Sequence, residues 1–216
     1  MKRIKIVTIA LMLFSFSIYS NAQLKIGIKG GLNYSSMPEM VDFMRVASEL
    51  GLPVPGSYAV KYASAFHLGL MSQYNLSSHF FFQPELLFSM QGVKEEAPGI
   101  VSETSYLNFL KLPVYIGYKI KAGAGLDIII GAGPYAAYGL SGSEGAYGDT
   151  GLFRNPDAGF SCMGGIQLSN LQITAGFDAG LVDQIKVNGW KTAKDILGLS
   201  SIQTRNFKLS VGYFFN

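Results

Sequence analysis

The sequence predicts an all-β protein: an eight-stranded antiparallel up-and-down transmembrane β-barrel with short periplasmic turns and longer external loops. Three observations lead there. Of 216 residues, 49% are hydrophobic and 14% charged, too apolar for a disordered chain and poor in charge for an ordinary soluble domain. Beyond residue 22 no apolar run approaches the ~18 residues of a membrane-spanning helix, yet segment after segment alternates apolar and polar residues with the period of a strand. The connections between these segments are short and long by turns, the pattern of hairpins closed on one side of a membrane and loops open on the other.

The first 22 residues stand apart. Residues 1–5 are basic, residues 6–19 almost wholly apolar, and Ser20-Asn21-Ala22 puts small residues just before Gln23. This predicts a signal peptide over 1–22, cleaved after Ala22, with an outer-membrane barrel domain over 23–216. No cysteine follows the cleavage site, so nothing points to a lipoprotein. Three of the 17 basic residues, Lys2, Arg3 and Lys5, lie in the leader, which has no acid, so 14 bases face 14 acids in the remainder. A neutral mature chain argues against a nucleic-acid partner. The single cysteine, Cys162, excludes an intrachain disulfide, and with only His67 and His79 beside it a Cys/His zinc cage is excluded too. No metal or cofactor is expected.

The strands are read in order over 24–34, 64–76, 80–91, 106–119, 126–140, 157–168, 171–181 and 204–215. Each is near or above the ~9 to 11 residues that a tilted strand needs to cross a membrane. In the first, Ile26, Ile28, Leu32 and Tyr34 share one face and Lys25, Lys29 and Asn33 the other. In the last, Phe207, Leu209, Val211, Tyr213 and Phe215 oppose Asn206, Lys208 and Ser210. The links at 77–79, 120–125 and 169–170 are short; those at 35–63, 92–105, 141–156 and 182–203 are long, with helix-like pieces at 38–50 and 192–199. Gly92, Pro98-Gly99 and Ser141-Gly142-Ser143 mark turns.

A soluble barrel would turn its apolar face inward and carry many charges on the face toward water. Here the polar face holds few charges, and eight strands enclose a space that side chains can fill. The polar stripe therefore predicts a packed lumen network of Lys25, Lys29, His67, Glu85, Lys111, Asp157, Asp178 and Lys208, nearly balanced in charge. Burial of such groups requires pairing and hydrogen bonding. Tyr34, Tyr74, Phe80, Phe81, Tyr118, Tyr138, Tyr213 and Phe215, near strand ends, are expected to form the interfacial girdles.

Several motifs, each loose alone, recur in a specific order: Gly27-Ile28-Lys29-Gly30-Gly31-Leu32-Asn33, Phe82-Gln83-Pro84-Glu85-Leu86-Leu87-Phe88, Tyr106-Leu107-Asn108-Phe109-Leu110-Lys111-Leu112-Pro113, and Gly131-Ala132-Gly133-Pro134-Tyr135. Asp157-Ala158-Gly159-Phe160 with Gly164-Gly165, then Gly180-Leu181 and Val211-Gly212-Tyr213-Phe214-Phe215, complete the series. In these the chain resembles the PorT-like outer-membrane β-barrel family of Bacteroidota over nearly its whole mature length. The resemblance implies an eight-stranded outer-membrane barrel and, by analogy with the name-giving member, an association with protein secretion. One departure is the end of the chain, Phe215-Asn216, where such barrels usually finish on an aromatic residue.

No catalytic constellation stands out. His67 falls on the inward face with Gln73 and Asn75, and one histidine without a positioned nucleophile makes no triad. His79 lies in a short turn. Gly131-Ala132-Gly133 is followed by Pro134 rather than a helix, so it reads as strand glycine and not as a phosphate loop. Cys162 shares the apolar face with Phe160 and Ile166. The pair Asp157-Ala158-Gly159 and Asp178-Ala179-Gly180 should lie on neighbouring strands near the external end, paired with Lys208 or Arg154, and a cross-strand Asp178–Lys208 ion pair is expected. The leading functional expectation is a non-enzymatic barrel that presents external loops to a protein partner or the cell surface. Its surroundings would be outer-membrane lipid, the barrel-assembly machinery and other envelope or secretion proteins. The alternatives are a small-ligand-binding barrel with the apolar face inward, a lipid-modifying outer-membrane enzyme, and a small pore.

Overall fold

A computed structural model describes residues 24–37, 59–96, 103–123, 125–142, 155–184 and 201–215. They form β1 (Leu24–Ser36), β2 (Ala59–Asn75), β3 (Phe80–Glu96), β4 (Glu103–Gly123), β5 (Leu126–Gly142), β6 (Pro156–Leu168), β7 (Leu171–Gly180) and β8 (Arg205–Phe214). Each strand pairs antiparallel with the next, and β8 pairs with β1 to close the barrel. Closure leaves no strand edge, which is what lets a sheet exist in hydrocarbon, where no water can take up an unpaired backbone group. The leader 1–22, the helix-like pieces 38–50 and 192–199, and Arg154 lie outside the described residues.

The register fixes the dimensions. Paired residues followed once round the wall from Leu24 run through Tyr74, Phe82, Ile116, Ala132, Cys162, Phe177 and Phe207. They return to β1 at Tyr34, ten residues further along. Eight strands with that stagger, spaced ~4.8 Å apart and rising ~3.3 Å per residue, tilt by about 40° around a backbone radius of about 8 Å.

The alternating apolar face points outward, with Ile28, Leu68, Leu70, Ile116, Ile130, Leu209 and Val211 exposed. A hollow lipocalin-like interior lined by Phe and Leu is therefore not what this chain builds. Aromatic rings bound the apolar band. On the inner rim Tyr118 stacks on His79 and meets Phe80 edge-on, with Tyr213 against Phe215. On the outer rim Tyr34 stacks on Tyr62, which touches Phe207, itself against Phe177. Phe81, expected in the girdle, is instead wholly buried with Tyr115, Ile129 and Met163. Strand parity is the reason: Phe80 and Phe82 face lipid, so the ring between them must turn inward. It fits because Gly117 lies opposite, where a Cβ would fall 2.1 Å from Phe81 Cζ.

The strands reach further outward than alternation indicated. β2, β3 and β4 continue through the pairs Ala59↔Glu96 and Glu95↔Glu103, so the link expected over 92–105 shrinks to residues 97–102. Gly92 lies inside β3, not in a turn. A Cβ there would sit 2.6 Å from that of Ala63, and its amide donates to Ser35 Oγ at 2.7 Å. Given the tilt, β2 to β5 stand roughly 10–15 Å above the outer ends of β6, β7, β8 and β1. The sequence of these extensions, Lys61-Tyr62-Ala63 and Gly92-Val93-Lys94-Glu95-Glu96, lacks the apolar–polar alternation that reveals a strand.

Depth in the band sets the cost of a charge. Leu70→Arg, near mid-height, is expected to destabilise folding into liposomes by ~2–4 kcal/mol, and Leu140→Arg at the outer rim by ~0–1 kcal/mol, in urea titrations.

Candidate functional site in the barrel lumen

Inward side chains are polar, so they must satisfy one another. Nearest the periplasmic end, Gln73, Gln83, Gln167 and Gln172 converge from β2, β3, β6 and β7 and are almost fully buried. Gln73 Nε2 donates to Gln83 Oε1 at 2.9 Å and to Gln167 Oε1 at 3.1 Å. Gln83 and Gln172 exchange amide bonds at 3.1 and 3.2 Å. Side-chain amides both donate and accept, so the cluster links across the barrel without any charge.

Above it, Lys29 Nζ lies 2.6 Å from Glu85 Oε1, which also accepts from Gln83 Nε2 at 2.8 Å. The apolar cluster of Phe81, Tyr115, Ile129 and Met163 is packed in the same barrel. In the outer half, Asp178 holds two cations: Lys111 Nζ on Oδ2 and Lys208 Nζ on Oδ1, each at 2.7 Å. Asn206 Nδ2 donates to the same carboxylate at 3.3 Å, and so does the Ser161 hydroxyl. Lys208 also donates to the Tyr115 and Ser161 hydroxyl oxygens at 3.1 and 3.2 Å. The Lys111 ammonium sits 3.6 Å from the centre of the Tyr135 ring, a cation–π contact in a water-poor interior.

The Asp178–Lys208 contact stands where the sequence placed a cross-strand pair. Lys111 reaching across the lumen to the same acid had no signal in strand adjacency. Asp157 does not take Lys208. It accepts from Tyr135 Oη at 3.0 Å, Thr204 Oγ1 at 3.1 Å and Gln184 Nε2 at 3.0 Å. It lies one level further out, beside the two described ends of the β7–β8 connection: the Gln184 backbone amide donates to Ile202 O at 2.9 Å, and both residues are wholly buried. Lys25 is at the opposite rim rather than in the packed network, donating to Ser169 O at 3.1 Å and Asn170 Oδ1 at 3.4 Å.

His67 is inward and buried, and it does have a neighbouring hydroxyl. Its Nε2 is 2.9 Å from Ser210 Oγ and its Nδ1 2.9 Å from Asn33 Oδ1. Asn33 Nδ2 donates to Phe66 O, Ser89 Oγ and Met90 O, which leaves Oδ1 to accept the Nδ1 proton beside the Asn206 amide at 3.3 Å. The order Ser–His–Asn is that of a nucleophile, base and orienting group. The cluster is buried and the ring is tightly packed on one side: a Cβ on Gly31 would lie 2.9 Å from His67 Cε1. Sequence reasoning turned Asn33 and Ser210 inward but missed their contacts with His67: the Asn33 contact depends on the β1–β2 register, and Ser210 comes near only when β8 closes on β1.

Residues 18–192 match the family model described as an outer membrane protein beta-barrel domain. The chain belongs to this family. It is thus an integral outer-membrane β-barrel protein. Among solved structures it is similar to the outer membrane protein OprG from Pseudomonas aeruginosa, with 14% identity, a TM-score of 0.48, and coverage of 90% of this chain and 97% of that one. It is similar also to Ail, the attachment invasion locus protein of Yersinia pestis, with 11% identity, a TM-score of 0.41, and coverage of 89% and 99%. The outer membrane enzyme PagL gives 12% identity, a TM-score of 0.41, and coverage of 88% and 98%. A search of curated proteins finds no match.

If the Ser210–His67–Asn33 cluster serves to hold this barrel together, Ser210→Ala strands a buried ring nitrogen. It is then expected to lower stability by about 1–3 kcal/mol in urea unfolding from micelles; an unchanged midpoint would show that the cluster contributes nothing.

Proposed function

We propose that the protein is a non-enzymatic, non-conducting outer-membrane scaffold that presents its external rim to a protein partner. The observation that carries this reading is the lumen, filled by buried, mutually bonded side chains from the glutamine cluster to the Asp157 cap. A core of that kind offers no continuous water path and stiffens the wall. The raised edge of β2 to β5, with the connections that join strand ends on that side, supplies the surface. The likeness to PorT-like barrels supports a partner in the secretion apparatus or elsewhere in the envelope.

The lipid-modifying alternative draws on the Ser210–His67–Asn33 geometry, but that cluster is buried inside the wall while lipid lies outside it. In planar bilayers the purified mature protein is expected to give no discrete conductance steps, and a stable ohmic channel would contradict the closed scaffold. Photo-crosslinkers at Tyr62 and Tyr106 in living cells are expected to capture one defined envelope protein. Loss of a modified lipid species in cells carrying His67→Ala would favour the enzyme instead.

A further inference from the structure

The periplasmic mouth of the lumen is an open cup of about 320 Å³, which the proposed external scaffold role does not use. Its floor is closed by the glutamine cluster, so it is blind. Three lysines, Lys25, Lys119 and Lys121, and one acid, Asp127, line it. Lys121 is paired with Asp127 at 3.0 Å. Lys119 donates only to neutral acceptors, Gln73 Oε1 at 2.6 Å and Asn75 Oδ1 at 2.7 Å, and Lys25 only to Ser169 O and Asn170 Oδ1. An ammonium has three protons to give, so each keeps one donor unused among the described residues.

The contrast within one molecule makes this informative. Lys29, Lys111 and Lys208, deeper in the same lumen, each hold a carboxylate at 2.6 or 2.7 Å. Lys25 and Lys119 have none within ion-pair distance among the described residues. A hydroxyl adds to the donors: Ser77 Oγ accepts the amides of His79 and Phe80 at 3.2 and 3.0 Å, which leaves its own proton to the cup.

We propose that this mouth binds a dianionic oxyanion of the phosphate-monoester class. Three lysines less one aspartate leave the lining with two uncompensated positive charges, and a phosphate monoester carries ≈ −1.5 to −2 at neutral pH. The volume exceeds the ~30 Å³ share of a single water by enough to admit the phosphate and the group it is attached to. The phosphate can belong to a free periplasmic solute or to a lipid headgroup of the inner leaflet.

The test uses the full mature chain in maltoside micelles at constant ionic strength, with glycerol 3-phosphate as probe and amide chemical shifts as readout. Saturable shifts confined to Lys25, Lys119, Gly125 and Ser169 are expected. Lys25→Gln, a half-exposed position outside the packed network, is expected to weaken binding at least ~10-fold while heat-modifiable gel mobility shows the barrel intact. In a second arm, the same amides shifting in nanodiscs that contain phosphatidic acid, with no added solute, would assign the phosphate to lipid; shifts from the soluble probe alone would assign it to a solute. Either supports the site. No saturable shift from either source up to roughly 20 mM, well above a millimolar Kd, or a shift indifferent to Lys25→Gln, would overturn it. Neither result bears on the external scaffold role.

Discussion

A closed cylinder about 8 Å in radius leaves its inward polar groups almost no solvent but one another, and the rest of the molecule follows from that. The register that closes β8 on β1 also decides which residues face inward together. It places Lys111 and Lys208 on the two oxygens of Asp178, Lys29 on Glu85, and four glutamines in one cluster. Lys29, Lys111 and Lys208, the deepest cations, are each matched by a carboxylate, because an unmatched ion in this setting costs several kcal/mol. The same alternation leaves the outer face of the strands apolar between the aromatic rims, so membrane insertion and lumen packing are two consequences of one period.

The two mouths differ in kind. At the external end Asp157 gathers Tyr135, Thr204 and Gln184, and Gln184 and Ile202 are wholly buried beside it, so side chains fill this mouth among the described residues. At the periplasmic end the lumen opens as a cup whose lysines exceed its acids. One end is thus filled by side chains and the other is open and rich in cations. A family whose shared feature is the barrel can place its differences there without disturbing the wall.

Much of the architecture was legible because it depends on local period and spacing. The eight strands, the three tight turns and the inward direction of Lys29, His67, Glu85, Lys111, Asp157, Asp178 and Lys208 all follow from parity along a strand. What parity cannot supply is height. Whether Asp157 or Asp178 meets Lys208, and that Lys111 joins them across the lumen, depends on the ten-residue stagger, which only the paired strands reveal. Phe81 was misplaced because three successive aromatics were read by composition where alternation should have ruled. The outer reaches of β2, β3 and β4 went unseen because runs such as Gly92-Val93-Lys94-Glu95-Glu96 carry no period-two alternation. Parity turned both Ser210 and His67 inward, but their contact depends on β8 closing on β1.

The central claim is that Asp178 and its two lysines act as one unit holding the lumen closed. Its most direct test is a mutant cycle at Asp178, Lys111 and Lys208, read as unfolding free energy in urea from a common detergent. Asp178→Leu alone is expected to cost about 3–5 kcal/mol, since it abandons two buried ammonium groups. Combining it with Lys111→Met and Lys208→Met is expected to recover most of that loss, because the abandoned charges are gone. A single-variant loss below about 1 kcal/mol, the range of an exposed ion pair, or losses that simply add, would contradict the account.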